Sequence, residues 1–473
     1  MKRRKMLRFI PASIAYLTGA SSISRASEEH RDTRSTRGSE PLAIQYTKKL
    51  REHLMGIRQT QTEDLMEGAY AIARTIEKGG TCWQEWDAGH TNADMYPERN
   101  GLPEIFADGY NPAKAKNGDL VLARSADTRL TDDLAKKDIF VIGAPSPWSG
   151  DAQHPELLRD EVRKLQLWPY ADVWIETQAD TIDGAVTVPG MTAPIGPFTG
   201  VDGPVMMWMM VADACRILAR NGKSLPVRGD EPKVTGKSVD WQSFSGWVSL
   251  NDPLMDNYFD EVMNQIELIG AEMGKIRKIA SMAMDAVMGG GRIYCYSRFS
   301  SIAQDANTRR SGLSITRGIM DRDGNLWDGQ KSMLFEGGTP KDCVIMGILK
   351  PDDPLDLKYL DYFRKKGMKI ASLGTMTRAM HEPDGRTIPK ETDVHAGRMC
   401  DTYGLYAVPG FEQKICPTSG VILNQFFWAV MMELVEQYME RTGGDIPGVM
   451  SSAALKGGRE HYRKWYNLDQ EKY

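Results

Sequence analysis

The sequence predicts an α/β protein with two tandem domains, each a doubly wound parallel sheet. Two observations support this class. Short runs of β-branched, aromatic and aliphatic residues alternate with longer amphipathic segments, as expected for parallel strands covered by helices on both faces. A set of landmarks also occurs twice, in the same order, with a separation far longer than the ~20–50 residues of a solenoid repeat.

Three pairs of landmarks define the repeat. They are Asn100-Gly101-Leu102 with Ser311-Gly312-Leu313, 211 positions apart (311 − 100); Lys137-Asp138 with Lys341-Asp342, 204 apart (341 − 137); and Trp208 with Trp428, 220 apart (428 − 208). This nearly constant offset predicts a duplicated domain. We therefore expect a targeting segment and linker at 1–40, a first domain at 41–222, a linker at 223–250, a second domain at 251–443 and a polar tail at 444–473.

Hydrophobic periodicity predicts the elements of each domain. In the first domain these are helices at 42–78, 154–165 and 199–221, and strands at 81–86, 119–124, 138–144 and 171–177. In the second domain they are helices within 252–288 and at 355–366 and 418–442, and strands at 292–297, 342–349 and 368–374. Met206, Met207, Met209 and Met210 lie all round one helix, which favours core packing over a metal site.

Composition excludes several classes of protein. The chain of 473 residues has 59 basic and 63 acidic residues and a net charge of −4, so no nucleic-acid partner is expected. Its six cysteines include no Cys-x-x-Cys pair, and Cys82, Cys295 and Cys343 lie in predicted strands, where buried free thiols are expected. Past the amino terminus no apolar run of about 18 residues predicts a membrane span.

The amino terminus is typical of an export signal. Lys2-Arg3-Arg4-Lys5-Met6-Leu7 resembles a twin-arginine motif, and a mildly apolar stretch follows it with no acidic residue before Glu28. A periplasmic or otherwise exported protein is therefore expected. A disordered basic tail of a cytoplasmic protein and a mitochondrial presequence are the alternatives.

A polar loop follows the first strand of each domain. Asp87-Ala88-Gly89-His90-Thr91 follows the strand at 81–86, and a similar Ser-rich and Arg-rich stretch follows the strand at 292–297. In open α/β sheets small ligands bind at the carboxyl ends of strands, against the amino end of the next helix. We expect the ligand sites of both domains at these loops.

With these loops in place, each half resembles the SIS (sugar isomerase) domain, a flavodoxin-like fold that binds phosphosugars. The resemblance covers roughly 42–222 and 252–443 and rests on Gly79-Gly80, the following strand, Gly89-His90-Thr91, Glu98 and Gly101-Leu102-Pro103. It implies that hydroxyl groups and backbone amides of two strand-end loops hold a phosphate. Carried over, the ligand donors are Thr91, Ser146, Ser149, Ser297, Ser300 and Ser301; helix capping is the alternative role for each serine.

The second loop of each half departs from the family pattern. Pro145-Ser146-Pro147-Trp148-Ser149-Gly150 is longer and stiffened by proline, and Lys350-Pro351-Asp352-Asp353-Pro354 carries two carboxylates where a phosphate needs donors. The second domain is therefore expected not to hold a phosphate. Export would also make free phosphosugars scarce, so a non-phosphorylated sugar or sugar acid is an alternative ligand.

The resemblance also implies a catalytic pair for aldose–ketose isomerisation, which needs a base to move a proton and an acid to open the ring. His90 and Glu98 match it, with no metal and no cofactor expected; a surface role for Glu98 remains open.

Arg309, next to Arg310, could bind a carboxylate or phosphate, or be solvated. His154 and His395 could reach a site from a neighbouring domain, although surface or capping roles are commoner.

Two functions follow from the resemblance. One is a sugar or phosphosugar isomerase, which His90 and Glu98 favour. The other is a non-catalytic, sugar-sensing regulatory protein, which the weak catalytic set of the second half favours. Both have a small-molecule sugar or sugar phosphate as partner, and both leave homodimerisation open.

Overall fold

The computed structural model describes residues 40–85, 101–107, 109–124, 128–191, 193–228, 249–298, 302–308, 312–322, 324–328, 333–376, 385–399, 404–449, 451 and 454–460. These residues belong to one compact unit, Ser39–Tyr473. Its helices are α1 (Leu42–Glu77), α2 (Thr128–Leu134), α3 (Asp160–Arg163), α4 (Thr199–Arg220), α5 (Leu254–Glu267), α6 (Met273–Met288), α7 (Ile302–Thr308), α8 (Pro354–Lys365), α9 (Ile388–Glu391) and α10 (Ser419–Thr442).

The strands form two large sheets and one small one. They are β1 (Cys82–Gln84), β2 (Leu102–Pro103), β3 (Phe106–Ala107), β4 (Leu120–Ala123), β5 (Phe140–Gly143), β6 (Val173–Trp174), β7 (Val227–Arg228), β8 (Ile293–Ser297), β9 (Thr316–Arg322), β10 (Asn325–Asp328), β11 (Met333–Leu334), β12 (Cys343–Ile348), β13 (Lys369–Met376) and β14 (Val394–Met399). The order is β3-β1-β4-β5-β6 in the first large sheet and β11-β10-β9-β8-β12-β13-β14 in the second; β2 and β7 form the small sheet.

Both large sheets have the flavodoxin-like strand order. Numbered within each half, the parallel strands run 2-1-3-4-5, as β3-β1-β4-β5-β6 and as β9-β8-β12-β13-β14. Every pairing within these two sets of five is parallel. The predicted fold class, two flavodoxin-like doubly wound sheets, is therefore confirmed.

The two sheets share one apolar core. One face of each sheet and the helices α1, α4, α5, α6 and α10 contribute to a single hydrophobic cluster. The other face of the first sheet packs on α2, and that of the second packs on α8. Because strands such as β4 and β12 are buried on both faces, they are apolar throughout, without alternation. The tryptophans Trp208 and Trp428 lie in helices, as predicted, and both are buried, in α4 and α10.

One landmark of the predicted repeat is wrong. Asp342 precedes β12, the third strand of its half, whereas Asp138 precedes β5, the fourth strand of its half. The counterpart of Asp342 is Asp119, which precedes β4. The Asp119 carboxylate accepts the N–H of Thr81 at 2.9 Å, and the Asp342 carboxylate accepts the N–H of Arg292 at 2.7 Å, so each ties two neighbouring strands together. The sequence suggested the wrong pair because several strands of each sheet begin with Asp.

Other interactions recur at the offset expected from the sequence. Leu102 pairs with Arg228 and Leu313 pairs with Val449, each pairing antiparallel. The hydroxyl group of Tyr46 donates to the carbonyl of Pro197 at 3.1 Å, and that of Tyr258 donates to the carbonyl of Pro417 at 3.2 Å. The bridges Val186–Ile195 and Tyr406–Ile415 precede α4 and α10, 220 positions apart (406 − 186 and 415 − 195).

Two regions differ from the prediction. The predicted helix at 154–165 is a 3₁₀ turn, Pro155–Leu157, and a single α-turn, α3, because Leu158 instead pairs with Leu455. The second sheet also has an antiparallel extension, β10 and β11, that the sequence did not predict.

Cys82, Cys295 and Cys343 are buried free thiols, as predicted.

We predict that Asp119→Ala lowers the free energy of unfolding by roughly 3 kcal/mol or more, because buried donors lose a charged acceptor. Asp119 also accepts the N–H of Lys116 at 3.0 Å and the indole N–H of Trp83 at 2.8 Å. Denaturant unfolding measures the change. The matched control is Asp138→Ala, because the side chain of Asp138 is exposed. Its free energy of unfolding should stay within about 0.5 kcal/mol of the wild-type value. Equal effects of the two substitutions would contradict the assignment of Asp119 as the counterpart of Asp342.

Candidate functional site

The first candidate site lies where the strand order reverses, between the carboxyl ends of β1 and β4. Glu85 directly follows β1 and Arg124 directly follows β4. Both side chains are buried, at 6% and 5% exposed, and the Glu85 carboxylate accepts the backbone N–H of Arg124 at 3.2 Å. A buried carboxylate and a buried guanidinium thus stand at the position where open α/β sheets bind small ligands.

Polar side chains from the next strands lie beside this pair. The backbone N–H of Ser146 donates to the carbonyl of Arg124 at 2.8 Å, which joins the loop after β5 to the end of β4. The Thr177 hydroxyl group, just after β6, donates to the carbonyl of Pro145 at 3.3 Å. Gln61 of α1 accepts the N–H of Glu176 at 2.9 Å. A row of polar groups therefore follows the strand ends of the first sheet.

Ser146 and Ser149 are both buried, but they do not stand at the opening of a helix as the sequence suggested. The backbone N–H of Ser149 donates to the carbonyl of Ser146 at 3.1 Å in a turn, and the Ser149 hydroxyl group accepts the N–H of Asp151 at 3.3 Å. Their loop follows β5, the fourth strand, whereas the reversal of strand order lies one strand earlier. Of the two, Ser146 is the serine whose backbone is bonded directly to the Glu85–Arg124 region.

The second candidate site lies at the equivalent reversal, between β8 and β12. Ser297 ends β8 and is buried, and Arg298 follows it. The Arg298 guanidinium donates to Oδ1 of Asp353 at 2.6 Å. The same oxygen accepts the N–H groups of Leu355 at 2.9 Å and Asp356 at 3.1 Å, so Asp353 is the N-cap of α8. A carboxylate of the chain itself therefore occupies the place at this helix start that an anionic ligand would need.

Further carboxylates surround Arg298. The hydroxyl group of Tyr296 donates to Asp356 at 2.6 Å, and that of Tyr359 donates to Asp321 at 2.8 Å. Burial, and then the charge of Asp353, raises the pKa of Asp356 to about 7. Three carboxyl groups thus lie within 4.0 Å of the Arg298 guanidinium, so the second site is more acidic than the first, where one carboxylate, Glu85, and one guanidinium, Arg124, are found.

Several residues predicted from the sequence fall outside the described residues. These are His90, Thr91, Glu98, Ser300, Ser301, Arg309 and Arg310. His154 is 48% exposed and lies near Glu156 and Asp180, so it has a surface role. His395 is in β14, where its Nδ1 is 2.8 Å from the hydroxyl group of Ser372; burial, and then Lys275, lowers the pKa of His395 to about 4. Neither histidine lies beside the residues of a candidate site in the described structure.

Sequence analysis missed Glu85, Arg124, Arg298 and Asp353 as site residues. Glu85 and Arg124 were placed inside predicted strands, although each is the first charged residue after an apolar run. A charged residue directly after an apolar run indicates the end of a strand that is buried on both faces. This signal could have identified Glu85 and Arg124 as strand-end residues. Arg298 likewise directly follows β8, and Asp353 was noted only as one of two carboxylates in its loop. Their pairing was not predictable, because it depends on the contact between the end of β8 and the start of α8.

Among the described residues, no group of three or more His, Cys, Asp or Glu side chains has the arrangement of a metal site. Within the same residues, no helix is both long and apolar enough to cross a membrane.

Comparisons with known proteins give weak similarities. No protein-family model matches the chain. UPF0309 protein ABC0887 of Shouchella clausii (strain KSM-K16) is 23% identical over 203 residues, covering 38% of this chain and 82% of that protein. The C-terminal domain of glucosamine-fructose-6-phosphate aminotransferase from Francisella tularensis has a TM-score of 0.44 and 12% identity, covering 88% of this chain and 100% of that one. Tagatose-6-phosphate ketose/aldose isomerase from Escherichia coli has a TM-score of 0.35 and 9% identity, covering 86% and 94%. The assignment of the fold therefore rests on strand order and pairing.

We predict that the stability contributed by Asp356 falls as pH rises. The pKa of Asp356 is about 7 in the folded chain against an ordinary value of 3.8. Between these values the folded chain keeps a proton that the unfolded chain releases, so the free energy of unfolding declines over that range. Asp356→Asn stays neutral, so its free energy of unfolding relative to wild type should be higher at pH 8 than at pH 4.

Denaturant unfolding across this pH range measures the difference between the two proteins. Asp352→Asn, in the same loop but partly exposed, is the control and should follow the wild-type profile. Parallel profiles for wild type and Asp356→Asn would contradict the prediction.

Proposed function

We propose that the chain is a sugar or phosphosugar isomerase-like protein whose ligand binds at the carboxyl end of the first sheet. The observation that carries the proposal is the buried Glu85–Arg124 pair at the reversal of strand order, with Ser146 bonded to it. Arg124 supplies a fixed positive charge for a phosphate or a sugar acid. In the sequence, the Gly89-His90-Thr91 motif follows Glu85 by four residues.

The proposed chemistry is metal-independent proton transfer, with His90 and Glu98 as the acid and base. Isomerisation of an aldose to a ketose moves one proton between adjacent carbons and one between their oxygens, so the reaction needs no redox partner. Thr91 and Ser146 are the proposed hydroxyl donors to the ligand, and Arg124 orients its anionic group.

We also propose that the two halves arose by tandem duplication, which gives the double-SIS arrangement. Support comes from the common 2-1-3-4-5 strand order and from recurring interactions. The carboxylates of Asp119 and Asp342 each bridge the first and third strands of a half, and Tyr46 and Tyr258 each bond the proline before the last long helix. On this proposal the domains are 41–222 and 251–443.

The second candidate function is a non-catalytic regulatory protein that binds sugar or sugar phosphate. The observation that favours it is the Arg298–Asp353 pair, because a carboxylate of the chain itself fills the start of α8 in the second half. If Asp353 keeps anionic ligands away from the start of α8, the second half can still serve as a structural partner for the first half.

We predict that wild type is stabilised thermally by at least one sugar or sugar phosphate and catalyses solvent deuterium uptake at C2 of that sugar. His90→Asn and Glu98→Gln should retain the thermal shift but reduce exchange by ~10²-fold or more, as expected on loss of an acid–base group. His154→Asn is the matched control, since His154 is at the surface, and should exchange at the wild-type rate. Thermal shift without exchange in wild type would support the regulatory function and contradict the isomerase.

We propose, finally, that the protein is exported by its twin-arginine-like segment, as the Arg3-Arg4 pair suggests. Amino-terminal sequencing of the mature protein should find a start within the first 40 residues, after the basic segment. Substitution of Arg3 and Arg4 by lysine should retain the precursor in the cytoplasm. A mature chain that still begins at Met1 would contradict export.

A further inference from the structure

We propose that the start of α10 is a binding site for an anionic oxygen group, a carboxylate or a phosphate, of a ligand shared with the first half. The inference rests on the proposed function only in taking that group to belong to a sugar ligand. The site consists of the hydroxyl groups of Thr418 and Ser419 and the backbone N–H groups of the first turn of α10.

In the first half, the equivalent helix start, that of α4, binds a carboxylate. The buried carboxylate of Asp183 accepts the N–H groups of Phe198 at 2.9 Å and Thr199 at 3.4 Å, and the hydroxyl group of Thr199 at 2.6 Å. Asp183 is fully buried. The first turn of α4 is therefore already bound to a carboxylate, which the chain itself provides.

The start of α10 is built in the same way. The bridges Val186–Ile195 and Tyr406–Ile415 precede the two helices at a common offset of 220, and Tyr46 and Tyr258 bond the equivalent prolines, Pro197 and Pro417. At the same offset, Thr418 and Ser419 correspond to Phe198 and Thr199 (418 − 198 and 419 − 199). The residue at the offset of Asp183 is Tyr403 (403 − 183), so that place in the sequence carries no carboxylate.

Among the described residues, two hydroxyl groups at the start of α10 have no hydrogen-bond partner. Thr418 and Ser419 are both 0% exposed, and neither Thr418 Oγ1 nor Ser419 Oγ has a hydrogen-bond partner in the described structure. Buried hydroxyl groups without partners are unfavourable, and proteins pair nearly all of them. The 24-residue helix α10 adds the partial positive charge of its amino terminus. Donors and charge both match an anionic oxygen group.

The site also adjoins the first half. The backbone N–H of Cys416, two residues before Thr418, donates to the carbonyl of Gly101 at 3.1 Å. Cys416 has a φ of 62°, a left-handed conformation that is rare for a residue other than glycine, and its counterpart is Gly196, with a φ of 76°. The bond to Gly101 fixes the start of α10 against the first half, so the second half can contribute donors to a ligand held by the first.

The test compares removal of the hydroxyl groups at the start of α10 with removal of the hydroxyl group at the start of α4. In Thr418→Val/Ser419→Ala the unpartnered hydroxyl groups are removed, so the free protein should unfold at the same or a higher denaturant concentration than wild type. Calorimetric titration with inorganic phosphate and with acetate should show binding weakened about tenfold or more for whichever anion wild type binds. The two titrations distinguish a phosphate from a carboxylate ligand.

Thr199→Val at the start of α4 is the matched control. It removes a donor from the Asp183 carboxylate and should lower stability, but leave anion binding unchanged. Should the double variant prove difficult to purify, Ser419→Ala alone gives the same comparison.

The proposal is overturned if wild type binds neither anion, if the double variant binds both as wild type does, or if the double variant is less stable than wild type, which would show that these hydroxyl groups already have partners. Failure of the proposed function has a different signature: anion binding that depends on Thr418 and Ser419, with no response to any sugar.

Discussion

Burial of both faces of two parallel sheets is the constraint on which the rest of the structure depends. One face of each sheet forms a single hydrophobic cluster with the helices α1, α4, α5, α6 and α10, and a helix of its own half packs on the other face. Strands in this position cannot carry charge along their length, because a charge buried without a partner is strongly unfavourable. In the central strands β4, β5 and β12, polar and ionised residues are therefore confined to the positions just before and just after the strand.

At the strand starts, the charged residues have a structural role. Asp119 and Asp342 are buried carboxylates whose oxygen atoms accept backbone N–H groups from neighbouring segments, which fixes the register of the first and third strands. At the strand ends, the charged residues form the candidate ligand sites. Glu85 and Arg124 stand at one reversal of strand order, and Arg298 with Asp353 stands at the other. The same topology thus positions a potential ligand site twice, with different charges.

The halves differ in where the chain supplies an anion of its own. Asp183 binds the start of α4 in the first half, and Asp353 binds the start of α8 in the second. The start of α10 has donors in Thr418 and Ser419 but no carboxylate among the described residues. Each internal carboxylate closes one helix start to ligands, because an occupied set of N–H donors cannot bind a second anion. Ligand choice in such a protein would be set as much by these internal acids as by residues that contact the ligand.

The sequence by itself determined the alternation of strands and helices, the doubly wound class, the helical positions of Trp208 and Trp428 and the burial of Cys82, Cys295 and Cys343, because hydrophobic periodicity is a local property. It also placed the end of β8 at Ser297. Only the tertiary structure decided that Asp342 corresponds to Asp119 and not Asp138, since that depends on which strands are neighbours. It also decided that Arg298 meets Asp353, 55 residues away, and that Leu158 pairs with Leu455 in place of a predicted helix. These contacts join residues far apart in the chain, and their free energy depends on burial and on pairing across elements, which a local pattern does not encode.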